Sequence, residues 1–77
     1  MTSKISQYSY ALFYTTSSTQ YYSYRIIYLE IAQFLITHEL NINYIHNGST
    51  SLINAVMYNN EPMIKLLLTH KNININL

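Results

Sequence analysis

The side chains able to do chemistry are few: histidines at 38, 46 and 70, glutamates at 30, 39 and 61, and scattered hydroxyls. Three imidazoles would suffice in number for a zinc-type centre. Their spacing argues otherwise. His38 closes the run Leu-Ile-Thr-His and His70 closes Leu-Leu-Thr-His 32 positions later, so the two occupy equivalent places in successive units. Packed helices stand about 8–10 Å apart, whereas a zinc–nitrogen bond spans about 2.1 Å. Nucleophilic chemistry fares no better. There is no Gly-x-Ser-x-Gly elbow, and a chain with one glycine, Gly48, cannot build a phosphate-cradling glycine run. Absence of cysteine removes thiolate ligands and disulfides together. No catalytic, cofactor-binding or metal-ligating residue is therefore expected, and no cofactor.

The residues that remain must be positioned by a small fold. Seventy-seven residues allow one domain, and such a core rarely supplies more than roughly 3–5 kcal/mol without a staple or neighbour. Yet 49% of the chain is hydrophobic, too much for disorder. The apolar surface is expected to be stacked on something. Lys4, Arg25, Lys65 and Lys71 oppose the three glutamates for a formal charge of +1, too sparse to track phosphates, so nucleic acid is not an expected partner. The longest apolar segment, 26–36, is interrupted by Glu30 and Gln33 and falls short of the roughly 20 residues of a membrane span. With no secretory pattern at the N-terminus, a cytoplasmic or nuclear location is the default expectation.

Along the chain, residues 1–7 read as polar and frayed. Residues 8–16 hold the apolar group Tyr10 to Tyr14, which suits either a short helix or a strand. Residues 17–24, rich in Ser and Tyr, read as a surface loop, with a β-prone, aggregation-susceptible segment as the alternative. From Arg25, Ile27, Ile31, Phe34 and Leu35 share a helical face and predict a buried stripe, with Ala32 allowing close approach. His38 is placed to complement the negative end of that helix. Residues 39–47 read as non-helical, with asparagines suited to turns, and Gly48 marks a backbone needing positive φ or a tight approach. Ser49 or Thr50 caps the next helix, whose inner stripe is Leu52, Ala55 and Val56. Asn59-Asn60 ends it. Pro62 opens a further helix in which only Lys65 interrupts the run of Met63, Ile64, Leu66, Leu67 and Leu68, predicting burial on most sides. His70 and Lys71 suit its C-terminal end.

Two matches set a period. The Thr-His runs recur at an offset of 32 and Asn-Ile-Asn at 41–43 recurs at 74–76, an offset of 33. A period near 33 with two short helices per unit marks a solenoid. On these residues the chain resembles the ankyrin-repeat family. Gly48, Thr50, Leu52 and Ala55 stand at the places of its Gly-x-Thr-Pro-Leu-His-x-Ala opening, with Ser51 for the proline and Ile53 for the histidine. Asn59-Asn60 replaces the Gly-His turn, Met63 to Leu68 match the second helix, and Asn76 closes the unit. Upstream, Ile31, Ala32, Phe34, Leu35, Ile36, Asn41, Ile42 and Asn43 resemble the second half of a preceding unit, where Glu39 replaces a turn glycine. Ala11, Leu12 and Phe13 with Thr15 resemble a degraded opening.

The resemblance implies an all-α chain of ankyrin-like helix-turn-helix repeats, about one complete and one degraded unit, in keeping with a fragment of a longer solenoid. Residues 1–24 are expected to form a weakly ordered or degenerate N-terminal half-repeat and residues 25–77 the repeat region. It also implies a protein–protein interaction or scaffold module. The concave groove would be lined by Tyr44, His46, Asn47, Ser49, Met57 and Tyr58, with Met57 and Tyr58 packing on a neighbouring repeat as the alternative. The partner is another protein, with self-association through exposed repeat ends. A membrane-surface amphipathic peptide and a truncated gene product without independent function remain the alternatives. Because each unit has an apolar side it cannot bury alone, a weak helical signal or concentration-dependent association is expected.

Overall fold

Hydroxyl side chains begin the first helix and close it. The computed structural model describes residues 3–16 and 21–76; α1 runs Lys4–Thr15, α2 Tyr22–Leu35, α3 Ser51–Met57 and α4 Glu61–Leu68. Ser3 caps α1, its Oγ accepting the Ser6 amide at 3.1 Å. Ser9, Thr15 and Thr16 are buried along α1, and each donates its hydroxyl at 2.6 Å to a carbonyl three or four residues back. Polar letters thereby sit in a packed interface without an unmet hydrogen bond. Of the fraying expected over 1–7, positions 1–2 lie outside the described residues and 4–7 are helical, and the strand option over 8–16 gives way to the same helix. Of the expected loop at 17–24, positions 17–20 lie outside the described residues, and the remainder caps and begins α2.

α3 is short because its exit is encoded. Thr50 caps it by accepting the Ile53 amide at 3.2 Å. At the far end Asn59 takes φ +52°, while the Asn60 amide donates to the Ala55 carbonyl and the Asn59 amide to Val56. That is a Schellman ending with asparagine in the left-handed place that glycine usually fills. Asn59 thus takes the left-handed backbone that the family's turn glycine would supply. Glu39 does not: among the described residues only Asn47, Asn59 and Gly48 have positive φ. After α2 the chain instead tightens, with Thr37 and His38 amides donating to Phe34 and Leu35 carbonyls. Glu61 and Pro62 form the first turn of α4, an acid at the positive pole and a residue with no amide to orphan.

The helices pair as α1 with α2 and α3 with α4, and the pairs stack α1 on α3 and α2 on α4. One core joins them: Leu12, Ala32, Leu35, Ile42, Ala55, Met63 and Leu67. The repeat recurs in hydrogen bonds. Thr37 and Thr69 hydroxyls donate to the Phe34 and Leu66 carbonyls, and Asn41 and Asn74 Oδ1 each accept the amide two residues on at 2.9 Å. Asn43 ties the units together, its Nδ2 donating to the Asn72 carbonyl at 2.9 Å and its Oδ1 accepting the Asn74 amide at 2.8 Å. Ser9, on α1, plays the like acceptor part for the turn after α2, its Oγ accepting the Asn41 amide at 2.7 Å.

Three expected faces need correction. On α2 the buried line is Ala32 and Leu35, while Ile27, Ile31 and Phe34 are exposed. α2 carries two apolar stripes, and the one containing the small Ala32 faces α1 and α4 because it lets their backbones approach. On α3, Ala55 and Ser51 are buried and Val56 is exposed. On α4, burial is complete only at Met63 and Leu67, one turn apart, and Leu68 is exposed. A helix with a partner on one side buries one stripe, however apolar the rest.

Candidate interaction surface

The segment entering α3 forms a finger. His46 and Ser49 pair as an isolated antiparallel bridge, each amide bonded to the other's carbonyl at 2.9 and 3.1 Å. Between them Asn47 and Gly48 have φ +52° and +76°, the Asn-Gly turn whose twist suits a two-residue hairpin. A Cβ at Gly48 would meet nothing within 4 Å, so the backbone conformation alone selects glycine there.

Rings from α1 gather on the finger. Tyr10 and Phe13 each lie 5.3 Å from the His46 imidazole, and 6.4 and 6.3 Å from Tyr44, all edge-on. Tyr44 and His46 stack nearly parallel at 6.3 Å. Edge-to-face rings at these separations attract beyond their buried area. Phe13 is the inner member, Tyr44 and His46 are half-buried, and Tyr10 is exposed, so the cluster is anchored below and open above. A second brace runs beneath the turn: Ser49 Oγ donates to Asn54 Oδ1 at 2.7 Å, and Asn54 Nδ2 reaches Thr16 Oγ1 at 3.4 Å.

Of the sequence-predicted contact residues, Tyr44, His46 and Asn47 come together on this finger, with Asn47 exposed at its tip. Ser49 stands at the base with its hydroxyl engaged by Asn54. Met57 and Tyr58 lie elsewhere. Met57 joins Ile53, Val56 and Ile75 around a groove of about 210 Å³ on the outer side of α3. Tyr58 sits at the α3–α4 turn, where its carbonyl accepts from Arg25 Nη2 at 2.9 Å, beside a cleft of about 320 Å³. The place of Tyr10 and Phe13 in this ring cluster was not foreseen. Their spacing of three would have aligned them, had 8–16 been legible as helix.

The histidines play packing roles. His38 touches Tyr8 and Phe34 at ring separations of 5.0 and 4.7 Å, with Nδ1 3.2 Å from the Phe34 carbonyl, near the helix end as expected. His70 differs from expectation: its Nδ1 accepts the Asn72 amide at 3.1 Å and so braces the following turn, while Thr69 satisfies the helix carbonyl. Both line a shallow groove with Glu39 and Lys71, yet among the described residues no three His, Cys, Asp or Glu side chains converge as a metal site. Nor, among them, is any helix long and apolar enough to cross a membrane.

Comparison with known proteins matches this geometry to one family. The model described as "Ankyrin repeats (3 copies)" matches residues 9–77, beginning inside α1 and spanning both helix pairs. No curated protein and no solved structure gives a significant match. Second helices and their following turns recurring at 32–33 residues, an Asn-Gly finger, an asparagine bridge between units and a family match over most of the sequence agree, and the chain belongs to the ankyrin-repeat family, whose repeats generally serve as non-catalytic protein-interaction scaffolds.

Proposed function

We propose that this chain binds a protein segment on the surface made by α1 and the finger, with Tyr10, Tyr44, His46 and Asn47 as the contacting residues. The observation supporting it is the open aromatic cluster of Tyr10, Phe13, Tyr44 and His46. Tyrosines held by neighbouring rings offer large, amphipathic contact area with little rotamer entropy left to lose. The N-terminal half-repeat, residues 1–24, supplies one wall through α1, and the repeat region, residues 25–77, supplies the finger. Charge is nearly absent from the cluster, so the ligand is an apolar or aromatic segment carrying amide and hydroxyl groups, bound by shape. Met57 and Tyr58 belong to separate surfaces, and the chain's association with itself uses its ends.

Peptides selected from a displayed library on the purified chain provide the test. Tyr44→Ala and Tyr10→Ala should each weaken the selected ligands about tenfold or more, the scale of an interface hot spot, with the far-UV circular dichroism unchanged. Ligands that bind both variants as tightly as the unaltered chain would place the site elsewhere.

A further inference from the structure

The repeat register assigns a packing surface to side chains that are exposed here. Ile31 and Phe34 of α2 occupy the places of Met63 and Leu66 in α4, 32 residues on, by the same alignment that equates Leu35 with Leu67 and His38 with His70. Met63 is 0% exposed in the core shared with α2, and Leu66 packs against that core. Ile31 and Phe34 are 42% and 64% exposed, with Ile27 beside them at 50%. The first pair thus presents, on its outer end, the surface with which the second pair buries itself. At the opposite end of the stack α3 and α4 expose Val56, Met57 and Leu68, and Met57 is 66% exposed beside the groove closed by Ile75.

We infer that a second copy of this chain docks its Ile27–Ile31–Phe34 stripe on the Val56–Met57–Leu68 end of the first, repeating the step that relates the two helix pairs. This deepens the self-association proposed above and does not involve the aromatic finger. Two features favour this occupant. The contact continues an interface already built inside the chain, with equivalent side chains on one side of it. Glu30 of α2, four residues before Phe34, and Lys65 of α4, three before Leu68, are both exposed and opposite in sign. Since the two faces differ, the contact is heterologous, and nothing closes it into a ring; it adds copies in a row.

Sedimentation velocity across a wide concentration range tests this with three proteins. The unaltered chain should grow past dimer as concentration rises. Phe34→Glu and Met57→Glu each place a charge on one exposed end, so each should stay monomeric with unchanged far-UV dichroism. An equimolar mixture of the two should form a complex of two chains and no larger species, because one intact end of each kind remains. A chain that is monomeric throughout, growth that halts at a closed dimer, or variants that fail to pair when mixed would overturn the inference. Library-selected peptides should bind Phe34→Glu and Met57→Glu as they bind the unaltered chain, so failure of end-to-end association and failure of the finger site are read separately.

Discussion

Leu67→Ala should remove most of the fold's stability at about 25 °C, while Leu68→Ala leaves it nearly intact. The two leucines are neighbours in α4, yet Leu67 is wholly buried among Leu12, Ala32, Leu35, Ile42, Ala55 and Met63, and Leu68 is exposed. Truncating a fully buried leucine costs about 2–5 kcal/mol through lost transfer energy and the cavity left behind. An exposed leucine away from such packing shifts stability by about 0.5 kcal/mol or less. Set against a total of roughly 3–5 kcal/mol for a core of this size, the first loss removes most of the stability. Thermal melts followed by circular dichroism measure both. Equal effects of the two substitutions would mean that α4 does not bury the Met63–Leu67 stripe.

The second large effect is expected at Asn43. Its side chain donates to the Asn72 carbonyl and accepts the Asn74 amide, joining the turns of successive units. Asn43→Ala deletes both bonds, each contributing about 1 kcal/mol, for a loss near 2 kcal/mol. For a domain of this length that lowers the melting temperature by roughly 8–16 °C. Asn43→Asp separates the two bonds: the acceptor toward Asn74 survives, while the donor is replaced by an oxygen facing the Asn72 carbonyl. It should cost at least as much as the alanine. A variant that melts like the parent would show that this bridge does not couple the units.

Local chemistry made much of this fold readable in advance. The Asn-Gly turn, the Thr50 cap, the Asn59-Asn60 break and Pro62 in the first turn of α4 each act within a few residues, so their letters suffice. The period near 33 was readable because Thr37 and Thr69, and Asn41 and Asn74, repeat one hydrogen-bonded turn. α1 hid itself for a physical reason. Its buried line includes Ser9, Thr15 and Thr16, whose hydroxyls bond back to their own helix, so the 3.6-residue apolar period is broken by polar letters. α2 misled in the opposite way, having two apolar stripes of which the richer in large side chains faces out. Which stripe turns inward depends on what α1 and α4 present, and no reading of α2 alone contains that. The finger half of the proposed contact surface, Tyr44 with His46 and Asn47, was expected from its place in the repeat. The α1 half, Tyr10 and Phe13, required knowing that α1 is a helix.

All of this depends on α1–α2 and α3–α4 holding together as one stacked body around a shared core. Residue-resolved amide hydrogen exchange tests that claim most directly. The slowest amides in α2, near Ala32 and Leu35, and in α4, near Leu67, should open with a common free energy, and Leu67→Ala should lower both together. Protection confined to α3 and α4, with the amides of α1 and α2 exchanging at unfolded-chain rates, would contradict that claim.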